Sequence, residues 1–112
     1  MSVSFSGFGH QVATFEAASG VAAGKPVAVS ANNKVQAVTS GAFCGFCMGV
    51  KDGFAAVQTG GYITVPYSGT LTVGYKQLAA AAGGKVTVDT TNGREYLVVD
   101  VDSDSGTAGI IL

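Results

Sequence analysis

Charged side chains are scarce in this sequence: Asp, Glu, Lys and Arg make up 12% of its 112 residues, roughly half the usual share of a soluble domain. The basic residues stand apart as Lys25, Lys34, Lys51, Lys76, Lys85 and Arg94, and the net charge is −1. Nucleic-acid and anionic-membrane binders gather positive charge on one face, so neither partner is expected. Tryptophan is absent, and there are one His, two Cys and two Pro. No stretch approaches the ~18 apolar residues of a membrane span. Met1 to His10 also lacks the basic start and apolar segment of a secretory leader. The expectation is a soluble protein made in a cytoplasm.

Glycine and β-branched residues are abundant. With 17 Gly and 47% hydrophobic residues, the chain reads as short strands punctuated by turns, the pattern of a sandwich or barrel. His10 to Phe15 is the first expected strand. Pro26 to Ser30 and Val35 to Val38 form a hairpin about Asn32-Asn33, since Asn tolerates the left-handed geometry of tight turns. Phe43 to Val50 is apolar at successive positions and reads as a central strand. Lys51-Asp52-Gly53 turns the chain into Phe54 to Gln58, and Gly60-Gly61 turns it into Tyr62 to Tyr67. Further strands are expected at Leu71 to Val73, Val86 to Val88, Tyr96 to Val101 and Ala108 to Leu112, with Asn92-Gly93 as a turn signal. Tyr75 to Ala82 is read as one short helix or helical turn, because Leu78 through Ala82 are strong helix formers and Gly83-Gly84 stands where a C-cap would. The domain reading is an N-terminal arm over residues 1–9 and a single β domain over residues 10–112.

The motifs that might carry chemistry each meet a simpler explanation. Cys44-Gly45-Phe46-Cys47 has redox spacing, but a reactive first thiolate needs a helix N-terminus, and Met48 to Gly53 starts no helix. On a strand, residues three apart point to opposite faces. Zinc needs four ligands, and there is no second Cys pair. Both cysteines are therefore expected to be reduced core residues. Asp100, Asp102 and Asp104 have the alternation of a calcium loop, but Ser105 and Ile111 stand where that loop needs Gly and Glu. A turn capped by Asp and Ser is the better reading. His10 has no nucleophile at motif spacing, and Gly24-Lys25-Pro26 lacks the third residue of a phosphate loop. No catalytic, cofactor-binding or metal residue is assigned, and no enzyme is expected.

The order of elements carries a resemblance. Gly20 to Val27, a turn, Val35 to Val38, the Gly-bearing strand Cys44 to Val50, Tyr62 to Tyr67 and the closing Gly-Ile-Ile-Leu strand together resemble small tailed-phage head decoration proteins, of the lambdoid-decoration type. The likeness runs from about Gly20 onward and lies in the layout of strands and glycines. It implies a compact mainly β fold, a small β-barrel or β-tulip, with an N-terminal arm. It also implies a capsid-stabilising virion protein that binds the outside of the assembled bacteriophage head as a homotrimer, with the major capsid protein as partner and no cofactor. No catalytic residues come with it.

The arm Ser2-Val3-Ser4-Phe5-Ser6-Gly7-Phe8 alternates polar with apolar residues, the pattern of a strand lacking a partner, and such a segment can add to an exposed sheet edge. Val3, Phe5 and Phe8 are the candidate capsid-binding residues; the competing expectation is that the two Phe pack back on their own domain. Rival functions are another virion part, such as a head-fibre base or tail component, and a carbohydrate-binding β module using the four Tyr.

Overall fold

A computed structural model of the chain describes residues 11–112. The expected mainly β fold is found: ten strands and, among the described residues, no helix. The strands are β1 Gln11–Ala17, β2 Pro26–Ala31, β3 Lys34–Ala37, β4 Gly45–Lys51, β5 Phe54–Gly60, β6 Tyr62–Pro66, β7 Gly74–Ala81, β8 Lys85–Val88, β9 Arg94–Asp102 and β10 Thr107–Ile111.

The first half closes into a five-stranded barrel in the order β1-β3-β2-β4-β5. The two hairpins that build it are the ones their turn residues dictate. Asn33 takes φ 60 between β2 and β3, and Asp52-Gly53 takes φ 53 and 82 between β4 and β5. At Asp52-Gly53 the two consecutive positive φ values match the right-handed twist of the flanking strands. Closure is antiparallel from β5 to β1 and parallel from β1 to β3, the latter through Glu16–Lys34 and Ala17–Val35. So narrow a barrel has little interior room, and the residues that fill it are small: Val27, Val35, Cys47, Ala55 and Val57.

The second half is a five-stranded sheet in the order β6-β10-β9-β7-β8. Its edges approach each other, with Tyr67 bridging in parallel to Val86. Its inner face carries Val65, Leu78, Ala80, Val86, Tyr96, Val98, Ala108 and Ile110. Phe43 and Phe46 from the first half complete this core. Phe43 stacks on Tyr96 with centroids 4.9 Å apart and meets Phe46 edge-on at 5.2 Å. The Tyr96 hydroxyl donates to the Phe43 carbonyl, while the Arg94 guanidinium lies 5.1 Å over the Tyr96 ring. Aromatic pairs contribute about 0.5–1.5 kcal/mol beyond the area they bury, so this stack joins the sheet to the barrel. Gln58, only 3% exposed, holds the crossing between the halves: its Nε2 donates to the carbonyls of Gly60 and Tyr62, each at 3.1 Å.

Two expectations are corrected. Residues 75–82 are not helical; they lie in β7 and its turn, with Leu78 to Ala81 paired to β8 and Gly74 to Leu78 paired to β9. Eight residues are too few for a stable isolated helix, and a place inside the sheet with Leu78, Ala79 and Ala80 buried outweighs their intrinsic preference. Gly83 and Gly84, at φ 80 and 76, turn a β7–β8 hairpin instead of capping a helix. Leu71 to Val73 forms no strand either. Leu71 is buried in the sheet's core while Val73 is 59% exposed, so a single anchor fixes that loop without a ladder.

Candidate functional site

The residues singled out for chemistry do not converge. Cys44 and Cys47 are free thiols, and both pack on the barrel's core cluster. Cys47 is buried, with its Sγ donating to the Gly49 carbonyl at 3.5 Å. Cys44 precedes β4, and its backbone N–H donates to Val27. Burial pushes the Cys44 thiol above its ordinary range, away from the reactive thiolate. Among the described residues, no group of three or more His, Cys, Asp or Glu gathers to hold a metal ion.

The Asp-rich segment is a capped turn, and a second turn repeats it. The Asp102 Oδ1 accepts from the N–H groups of Asp104 and Ser105, and its carbonyl accepts from Gly106. Asp89 does the same with Thr91, Asn92 and Gly93. Hydrogen bonds lower both carboxyls below their usual range: from the Ser105 side chain and then its backbone for Asp102, and from the Asn92 and then the Thr91 backbone for Asp89. Both loops join strands of the second sheet (β8 to β9 and β9 to β10).

A cleft of about 370 Å³ lies between the halves, lined by Lys25, Pro26, Val38, Pro66 and Gly84 among others, and among the described residues that line it Lys25 is the one titratable side chain. Its size falls within the range of small-ligand pockets, but among the described residues its lining offers no convergent polar side chains.

The described surface is more informative than its cavities. Phe54 is 54% exposed on the barrel wall. With Val50 at the rim, and with Thr14, Gly49, Lys51 and Ala56, it lines a shallow depression of about 350 Å³. Val12 and Met48 are also exposed. The register explains this: Phe54 pairs with Glu16 and Lys51, and Ala56 with Thr14 and Gly49, while Ala55 and Val57 turn inward. The large side chain faces out because the small ones fit the barrel. Sequence reading placed Phe54 on a strand and missed its exposure. The signal was the alternation of Phe54 and Ala56 against Ala55 and Val57, which leaves the facing undecided until the barrel's width is known.

The three candidate capsid-binding residues, Val3, Phe5 and Phe8, lie outside the described residues, as does His10. No family model matches the chain, and searches of curated proteins and of solved structures find no match.

Proposed function

We propose that this chain is a non-enzymatic structural protein of a bacteriophage virion, a decoration subunit that binds the outside of the assembled head through the major capsid protein and works as a homotrimer. The observation that carries the reading is the exposed Phe54 on the barrel wall, beside Val50 and Ala56 and between its two cross-strand partners Glu16 and Lys51. Interface centres are depleted in charge and enriched in aromatic residues and Met, and a surface with so few charges gives little repulsion between copies. The layout of strands and glycines, similar to that of head decoration proteins, supplies the identity of the partner. The arm residues Val3, Phe5 and Phe8 are a second candidate contact.

Electron microscopy of heads from the virus that encodes the chain, assembled with and without it, tests this reading. Extra density on the outer surface at three-fold or quasi-three-fold positions is expected. Heads of unchanged appearance at saturating protein would reject it.

A further inference from the structure

The turn between β8 and β9 carries the one Asn-Gly pair of the sequence, Asn92-Gly93. Such a pair is chemically weak. The glycine backbone nitrogen can attack the side-chain carbonyl carbon of the Asn before it, and glycine has no side chain to hinder the approach. The attack needs a peptide unit that is free to rotate and an N–H that is free to give up its proton.

The fold restrains both. Leu78 of β7 pairs with Val88 on one side and with Arg94 on the other, so residues 89–93 carry the chain directly over β7. This crossing is clamped at each end. The Asp89 N–H donates to the Gln77 carbonyl at 2.9 Å, and the Gly93 N–H donates to the Asp89 carbonyl at 3.0 Å. Between them, Asp89 Oδ1 accepts from the N–H groups of Thr91 and Asn92, each at 2.9 Å. Gly93 lies so close to the sheet that a Cβ there would collide with the Asp89 carbonyl and press on the Leu78 backbone. Close approach, rather than a left-handed φ, is what requires glycine here. The Asn92 side chain is exposed, so water reaches it.

We propose that Asn92 is a deamidation site gated by this turn. While the turn is closed, the Gly93 N–H is held by the Asp89 carbonyl and the reaction is suppressed. When the turn opens locally, the Gly93 nitrogen bonds to Asn92 Cγ and gives up its proton, and the side-chain nitrogen leaves as ammonia. Water then opens the resulting cyclic imide. Cleavage at Cγ gives aspartate, and cleavage at the main-chain carbonyl gives isoaspartate. Isoaspartate lengthens the main chain by a CH2, which a turn clamped at Asp89 and Leu78 does not accommodate. Either product also adds a negative charge near the Asp89 carboxylate, where like charges repel. The modification therefore prevents the turn from closing again.

This inference is independent of the capsid reading. Its test incubates the full chain at mildly alkaline pH, folded and in urea, and follows Asn92 by mass spectrometry of the tryptic peptide Val86 to Arg94. The folded chain is expected to deamidate at least about tenfold more slowly than the unfolded one, as a mostly closed segment should. Hydrogen exchange at the Gly93 amide should be slowed to a similar degree. Asp89→Ala should speed the folded-state reaction at least about fivefold by removing the carboxylate's hydrogen bonds, while Asp89→Asn, which still accepts them, should stay near the wild-type rate. Equal rates in folded and unfolded wild-type chains would overturn the proposal, as would a folded Asp89→Ala variant no faster than wild type. If Asp89→Ala does not fold, the wild-type comparison decides alone.

Discussion

The Tyr62 hydroxyl donates to Asp100 Oδ2 at 2.9 Å, and the two side chains close over Gly109 on the strand between them. The other carboxylate oxygen, Oδ1, accepts from the Gly109 N–H at 3.0 Å. A Cβ on Gly109 would collide with both Tyr62 and Asp100. A glycine inside a strand is a weak point, and an aromatic ring laid over it from the neighbouring strand restores contact. Gly109→Ala should therefore destabilise by about 1–3 kcal/mol. The same change made in a Tyr62→Ala background should cost less, with a coupling of about 0.5–3 kcal/mol. Urea unfolding of the four proteins measures it, and equal costs in both backgrounds would show that the ring is not what excludes the methyl group.

Tyr96 ties the two halves together and makes stability sensitive to alkali. Burial raises its phenol above the ordinary range, opposed in part by the Arg94 charge. The folded state then keeps a proton that the unfolded state releases above about pH 10. Its contribution is fully present below that pH and is lost as the pH rises toward the folded value. Tyr96→Phe should flatten this part of the stability profile. It should also lower stability at neutral pH by about 1–3 kcal/mol, because the buried Phe43 carbonyl loses its donor. Thermal melts between pH 8 and 11 on both proteins check both effects.

The two capped turns act at the other end of the scale. Asp89 and Asp102 have lowered carboxyl pKa values. They stabilise the fold above the ordinary carboxyl range and lose that effect as the pH falls through the lowered values. Asp102→Asn and Asp89→Asn should each reduce the acid sensitivity of the melting temperature below about pH 4, since Asn still accepts the turn's hydrogen bonds but does not titrate. An unchanged acid limb in the double variant would place the acid response elsewhere.

The cysteines are packing residues in this account. Cys47→Ser should cost about 1–3 kcal/mol by placing a hydroxyl in the barrel core. In the native protein both thiols should react slowly with an alkylating reagent at neutral pH, and mass spectrometry of freshly purified protein should find both reduced. A rapid burst of labelling at Cys44 would contradict its raised pKa.

Turn chemistry was the most legible level of this fold. Asn32-Asn33 and Asp52-Gly53 announce two hairpins because few residues tolerate positive φ, and both stand where expected. The Asp102 turn was legible for a similar reason: Asp and Ser side chains can satisfy their own backbone. The facing of β5 was not legible, since Phe54 is the most apolar residue on its strand and yet lies outside. Residues 75–82 misled through local propensity, as Leu and Ala favour helix until β8 and β9 offer ladders on both sides. A small barrel was expected, but which strands close it was not legible, because the parallel β1–β3 contact rests on only two residue pairs, Glu16–Lys34 and Ala17–Val35.

The central claim is that the barrel wall around Phe54 is a capsid-binding surface, and co-sedimentation with bare heads measures it most directly. The wild-type chain should saturate the heads at a fixed number of copies. Phe54→Ser removes a ring whose burial contributes about 1.5–3 kcal/mol, so it should weaken binding at least about tenfold. Its melting temperature should stay close to the wild type, because Phe54 is already exposed. Wild-type protein that does not sediment with heads at any concentration would contradict the claim, as would a Phe54→Ser variant that binds as tightly as the wild type.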